Sequence, residues 1–273
     1  FAATSTTKEG EEEDAVFYTE FTSQQLFRID LNENGDGDGE RKATPIVGKD
    51  STGQYRYADG IWDHKRKLLI CIREDHGPDE KAEPKDVVNE IVALDVKTST
   101  TVGETAAAAE EGTETRTYSA TTDEDSDHNN KVRVLVTGYD FAVAPRLSPD
   151  GNTLACVVWN HPNMDATNLV TVSLPEAVDT VNWMASPSSP LSSIEVSEQH
   201  PMRIVAGHDD STSILQPLFH PITGQLFYIS DQSGYYNIYM MDDDNQQHCV
   251  LPMDVDFGGS SPGWIVGQQG FSF

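Results

Sequence analysis

The chain has 273 residues, 37% of them hydrophobic, and carries 45 Asp and Glu against 18 Lys and Arg, a net charge of −27. That length suits one large all-β domain or two average ones. Acidity of this degree argues against sequence-independent nucleic-acid binding, which depends on Lys and Arg displacing counterions from phosphates, and against an anionic membrane surface.

Residues 1–14 are small, polar and acidic and are expected to be a disordered segment. Val16-Phe-Tyr-Thr19 and Gln25-Leu-Phe-Arg-Ile-Asp-Leu31 then read as two strands of a hairpin. The stretch from Asp30 to Gly35, with Asp36 and Asp38, resembles the opening of an EF-hand loop. Its twelfth position, where a bidentate Glu belongs, is Arg41, so a solvated loop between strands is the better reading. Pro45-Ile-Val-Gly48 is a brief apolar run ending in Gly.

From here the chain repeats itself. Tyr57-Ala-Asp-Gly-Ile-Trp-Asp63 leads into Lys67-Leu-Leu-Ile-Cys-Ile72. Ala144-Pro-Arg-Leu-Ser-Pro-Asp-Gly151 leads into Thr153-Leu-Ala-Cys-Val-Val-Trp159, and Gln216-Pro-Leu-Phe-His-Pro-Ile-Thr-Gly224 into Gln225-Leu-Phe-Tyr-Ile-Ser230. A third apolar run follows each: Ile91 to Val96, Leu169 to Leu174, Ile238 to Met241. A fourth closes each unit: Val134-Leu-Val-Thr-Gly138, Arg203-Ile-Val-Ala-Gly207 and, more weakly, Cys249-Val-Leu-Pro252. Ser148-Pro-Asp-Gly151 sets Pro where φ is near −65° and Gly where a positive φ suits it, so it joins the first two strands of a unit. Each unit thus reads as four strands, and four-stranded units recurring in this way predict a β-propeller of about four blades. Two low-complexity insertions, 97–130 and 175–201, interrupt it. The remainder, 15–273, is expected to be one partial propeller.

Cys71 and Cys156 sit at matching places inside apolar runs and read as buried reduced thiols, as no Cys-x-x-Cys spacing exists. A reducing compartment, the cytoplasm, is the expectation. The chain starts at Phe1 and stops at Phe271-Ser-Phe273, partway into what reads as another strand, and is expected to be a segment of a longer protein. No apolar stretch approaches the roughly 20 residues of a membrane-spanning helix, and no cofactor or metal site is expected. Gly259-Ser-Ser-Pro-Gly263 is a literal G-x-S-x-G. It fails as a nucleophile elbow: Pro262 stands where the helix should begin, and no Asp, Glu or His follows to complete a triad. No catalytic residue is therefore expected within the chain.

The candidate binding residues lie after the second strand of two units: Arg73, Glu74, Asp75 and His76 in one, Asn160 and His161 in the next. Equivalent positions place them on the same face of the disc, where they face a ligand or a neighbouring domain, or else bond to one another and pin long loops. Asp231-Gln-Ser-Gly-Tyr-Tyr-Asn237 is the matching loop of the last unit.

In combination, Tyr55-Arg-Tyr-Ala-Asp59, Arg73-Glu-Asp-His76, Asn89-Glu-Ile-Val-Ala-Leu-Asp95, Pro145-Arg-Leu-Ser-Pro-Asp-Gly151, Trp159-Asn-His-Pro-Asn-Met164 and Leu226-Phe-Tyr-Ile-Ser-Asp-Gln-Ser-Gly-Tyr-Tyr-Asn-Ile-Tyr239 resemble the N-terminal, TolB-like propeller of prolyl oligopeptidase-family serine peptidases, of the dipeptidyl aminopeptidase/acylaminoacyl-peptidase type. The resemblance implies a non-catalytic propeller that gates short or N-terminally blocked peptides and a C-terminal α/β-hydrolase domain of the same protein holding the Ser-Asp-His triad. Here Met164 is followed by Asp165-Ala-Thr where the family has a Trp-Asp pair, and the 97–130 insertion is long. The rival reading is a stand-alone propeller that binds proteins.

Overall fold

The computed structural model describes residues 15–31, 43–46, 53–77, 83–96, 132–162, 165–176, 184, 202–209, 211–257 and 269–273. The terminal segment 1–14, nearly all of both insertions, the loop with Asp36, Asp38 and Arg41, and Gly259 to Gly263 lie outside the described residues.

Fifteen strands are described: β1 (Ala15–Thr19), β2 (Leu26–Asp30), β3 (Ala43–Pro45), β4 (Tyr55–Asp63), β5 (Leu68–Asp75), β6 (Val88–Asp95), β7 (Val132–Val136), β8 (Phe141–Leu147), β9 (Thr153–Trp159), β10 (Asn168–Ser173), β11 (Met202–Ala206), β12 (Ile214–Phe219), β13 (Leu226–Ser230), β14 (Asn237–Met241) and β15 (Gln247–Cys249). They form four separate antiparallel meanders, β1-β2-β3, β4-β5-β6-β7, β8-β9-β10-β11 and β12-β13-β14-β15. None closes on itself, and each packs on the next. This is a partial β-propeller, and the sheets are the repeats read from the sequence.

The first sheet has three strands among the described residues, matching the hairpin and the Pro45 to Gly48 run read from the sequence, where the other three sheets have four. Phe17 of β1 stacks on Trp62 of β4 at 5.8 Å, and Phe227 of β13 meets Phe273 edge-on at 4.9 Å. The phrase Val16-Phe-Tyr matches Leu226-Phe-Tyr. So β1, β2 and β3 correspond to β13, β14 and β15, and it is the counterpart of β12 that is missing from the described first sheet.

Burial follows from position in the stack. A strand covered on both faces needs no polar alternation and reads as a continuous apolar run. In β5, Leu69 and Cys71 face the first sheet, in a cluster with Ala15, Phe17 and Leu26. Leu68, Ile70 and Ile72 face the third sheet, in a cluster with Ala142, Val143 and Val157. In β1, at the end of the stack, buried Ala15 and Phe17 alternate with less buried Val16 and Tyr18.

The turns behave as their chemistry dictates. Gly151 and Gly224 take φ of +70° and +75°. The Asp63-His-Lys-Arg66 turn has neither Pro nor Gly, so Lys67 itself takes φ +58°. Side chains compensate: the Asp63 carboxylate accepts the N–H groups of Lys65 and Arg66 at 3.0 and 3.1 Å, and pairs with the Arg66 guanidinium at 2.8 Å. Arg66, buried, also donates to the carbonyls of Gly151 and Pro175, riveting the second sheet to the third.

Candidate functional site

Strands β5, β9 and β13 run the same way in their sheets, so their last residues and the segments that follow share one end of the stack. Arg73, Glu74 and Asp75 are the last residues of β5 itself rather than a loop after it, while His76, Asn160 and His161 follow their strands. In the second sheet, Arg73 Nε donates to Glu90 Oε2 at 3.1 Å and Nη2 to the same oxygen at 2.5 Å. Its guanidinium carbon lies 4.8 Å from the centre of the Tyr55 ring. Burial alone would lower the Arg73 pKa; the Glu90 carboxylate outweighs it and raises it. Glu90 stands directly opposite Arg73 in the β5–β6 register, so this pair is a consequence of cross-strand placement.

The neighbouring candidates are also tied down. Asp75 Oδ1 accepts from Gln54 Nε2 and from the Gly77 N–H, each at 2.9 Å. Glu74 lies 3.1 Å from His76 Nε2. In the third sheet, Asn160 Oδ1 accepts the Asp140 N–H at 2.8 Å, and Asp140 Oδ2 accepts the His161 N–H at 2.7 Å. The His161 ring is exposed and meets Phe141 edge-on at 5.1 Å, while Phe141 stacks on Trp159 at 4.8 Å. Asp140 thus brings Asn160 and His161 together. Arg73, Glu74, Asp75 and His76 form a second group around Glu90, Tyr55 and Gln54. The bonds are all within one sheet and its loops, the arrangement that pins loops.

In the fourth sheet, Asp231 accepts the Ser213 N–H at 2.7 Å. Its pKa is raised, first by burial and then by the charges of Asp165 and Asp209. Tyr236 is raised by burial as well, and its N–H donates to Asp256 Oδ1 at 3.0 Å. Tyr235 is exposed and Tyr236 half-buried.

The inner strands carry a feature that sequence reasoning missed. β4, β8 and β12 each slip register once, between Ala58 and Ile61, Val143 and Arg146, and Leu215 and Leu218. At each slip one non-glycine residue has a positive φ: Asp59 (+45°), Ala144 (+53°) and Gln216 (+50°). Such bulges re-aim side chains and are frequent near functional sites. Asp59 reaches the next sheet, where Arg146 Nη1 lies 3.3 Å from its Oδ2. Gln216 Oε1 likewise accepts the N–H of Gly270. Asp59-Gly60 carried a turn signal in one strand, but Ala144 and Gln216 gave none, so no repeated pattern pointed to the bulges.

The two interior thiols are unpaired. Burial pushes the Cys156 pKa up to about 12 and Cys71 higher still, so both stay protonated and unreactive at neutral pH. Among the described residues, no three His, Cys, Asp or Glu side chains converge as a metal site would require.

No family model matches the chain, and no curated protein matches it. Solved structures do. A puromycin hydrolase, solved as a mutant in complex with PGG, superposes with a TM-score of 0.63 at 21% identity, over 93% of this chain and 31% of that one. A puromycin-hydrolyzing peptidase of Mycobacterium tuberculosis gives 0.61 at 24% identity, over 94% of this chain and 31% of that one. At this identity the likeness is one of fold. The chain spans about a third of the length of those structures.

Proposed function

We propose that this chain is the non-catalytic propeller portion of a serine peptidase of the prolyl oligopeptidase family, acting on short or N-terminally blocked peptides. The observation that carries the reading is the fit of nearly the whole chain to about a third of the length of a puromycin hydrolase and of a puromycin-hydrolyzing peptidase. The family resemblance of the repeats, quoted above, points the same way. On this reading the partner is a C-terminal α/β-hydrolase domain of the same protein. It supplies Ser, His and Asp for acyl transfer, and the propeller restricts which peptides reach them. Arg73, Glu74, Asp75, His76, Asn160 and His161 then stand at the end of the propeller that meets the substrate cleft. The unpaired, buried thiols suit a reducing compartment such as the cytoplasm.

The test is hydrolysis of N-acetylated and free dipeptide p-nitroanilides by a longer natural product of this reading frame. Turnover abolished by a serine-directed phosphonate, with residues 1–273 alone inactive, supports the reading. A reading frame that continues into further propeller repeats and ends without a Gly-x-Ser-x-Gly, Asp and His set refutes it.

A further inference from the structure

The repeat allows an unneeded charge to be recognised. Arg146 occupies the position held by Ile61 in β4 and Leu218 in β12, two residues past the positive-φ residue of each bulge. Ile61 packs on the core shared by the sheets. The fold therefore accepts a hydrocarbon there, and the guanidinium is not required by packing. Its neighbour Asp59 also departs from the repeat, standing where the other inner strands have Ala144 and Gln216.

The ion pair between them is incomplete. The side chains are 17% and 13% exposed. Nη1 alone makes the contacts, at 3.3 and 3.4 Å to the two Asp59 oxygens and 2.6 Å to the Pro145 carbonyl. Nε and Nη2 have no partner among the described residues. These two nitrogens form the side-on fork that takes a carboxylate through two parallel hydrogen bonds. Asp59 and the Pro145 carbonyl hold the other edge, so the fork is fixed before any ligand arrives, which lowers the ordering cost of binding. Arg146 belongs to β8, the first strand of its sheet, and such first strands border the central channel of a propeller.

We propose that Arg146 is the anchor of a carboxylate subsite on the inner strands, and that its ligand is the C-terminal carboxylate of a short peptide. The choice of a peptide rests on the function proposed above; the anion subsite itself does not. Asp59 is the positioning residue, and its negative charge limits affinity.

The experiment is calorimetric titration of the 273-residue chain with trialanine, trialanine amide and inorganic phosphate, and the same for three variants. The free acid should bind at least about tenfold more tightly than the amide. Arg146→Gln should abolish that preference with the near-ultraviolet circular dichroism unchanged. Arg146→Lys, which keeps the charge and loses the fork, should weaken binding about fivefold. Asp59→Asn should tighten it severalfold. Equal binding of acid and amide, or an unaltered preference in folded Arg146→Gln, overturns the subsite. Should Arg146→Gln fail to fold, the acid-to-amide ratio and Arg146→Lys decide. Phosphate bound as tightly as trialanine overturns the peptide assignment. Peptidase activity of a longer protein is not read in any arm, so failure here is separable from failure of the functional reading.

Discussion

Thr167 and Ile214 are joined by a two-way hydrogen bond: the Thr167 hydroxyl accepts the Ile214 N–H at 2.6 Å and donates to the Ile214 carbonyl at 2.8 Å. Thr167 immediately precedes β10 and Ile214 opens β12, so one buried hydroxyl satisfies both backbone groups of a residue in the next sheet. The same place one sheet earlier is held by Asn89, whose Oδ1 accepts the Ala142 N–H at 2.7 Å. Thr19 Oγ1 donates to the Tyr57 carbonyl at 3.0 Å. The sheets of this stack are therefore latched by side chains as well as packed. Thr167→Val keeps the shape and removes the latch, leaving the Ile214 N–H and carbonyl buried without that partner. The expected loss is about 2–4 kcal/mol in urea unfolding, and Thr167→Ser should recover most of it. A Val variant as stable as the parent would show that the latch contributes nothing.

Gly207 and Gly224 separate two kinds of glycine. Both have positive φ, +79° and +75°. A Cβ on Gly207 would lie 2.2 Å from the Thr167 carbonyl oxygen, whereas one on Gly224 meets nothing within 4 Å. Gly224→Ala should cost only the left-handed backbone penalty, about 1 kcal/mol. Gly207→Ala must in addition displace backbone beside the Thr167 latch, and should cost more than about 3 kcal/mol. Thermal midpoints of the two variants measured together check the ordering.

Ala144 offers the opposite experiment. It holds φ +53° at the bulge of β8, where an L-residue carries a penalty of about 1–2 kcal/mol. Glycine removes that penalty and adds about 0.5–1 kcal/mol of unfolded-chain entropy. Ala144→Gly should therefore stabilise the protein by about 0.5 kcal/mol, against the usual sign of an Ala-to-Gly change in a strand. A destabilised variant in urea unfolding would show that the bulge does not strain Ala144.

These residues also mark where the sequence was legible. The hairpins and the runs that follow them could be read because apolar runs, Ser-Pro-Asp-Gly and His-Pro-Ile-Thr-Gly have local causes. The latch was not legible, since Asn89 and Thr167 perform the same task with different chemistry at a place with no periodic signal. The bulges were hidden because Ala144 and Gln216 are not turn formers, so the Asp59-Gly60 signal in β4 has no counterpart in β8 or β12. The three runs of the first sheet were legible, but not which strands of the repeat they are, because the Val16 to Leu31 hairpin resembles any hairpin; only Phe17 against Trp62 shows that. At the candidate site, positions on one end of the sheets were readable from loop equivalence. The partner of Arg73 was not, because Glu90 is opposite it only once the β5–β6 register is known.

Arg66 tests the rivet between the second and third sheets. Its side chain is fully buried with Asp63 and donates to the Gly151 and Pro175 carbonyls. Arg66→Met preserves volume, leaves the Asp63 carboxylate buried without its cation and strips two carbonyls of a donor. Removing one partner of a buried pair costs about 3–5 kcal/mol. The double variant Asp63→Asn, Arg66→Met removes the uncompensated charge and should recover part of that loss. Equal stability of single and double variants in urea unfolding would contradict an electrostatic origin.

Asp231 carries a pH signature. Burial, then Asp165 and Asp209, raise its pKa in the folded protein above the ordinary carboxylate value. The folded state therefore holds this proton to higher pH than the unfolded chain does. Its stabilising contribution is complete below the unfolded pKa and is lost as pH rises through the folded one. At pH 7 the ionised group is a burden, which Asp231→Asn removes while its amide oxygen still accepts the Ser213 N–H. The variant should melt higher than the parent at pH 7, with the gap closing as pH falls through the raised folded value and already closed once pH is below about 4, the ordinary carboxylate value. Melting curves from pH 3 to 8 check this. A gap of constant size across that range would assign the effect to something other than titration of Asp231, and a lower midpoint at pH 7 would show that the charged carboxylate is the better acceptor for Ser213.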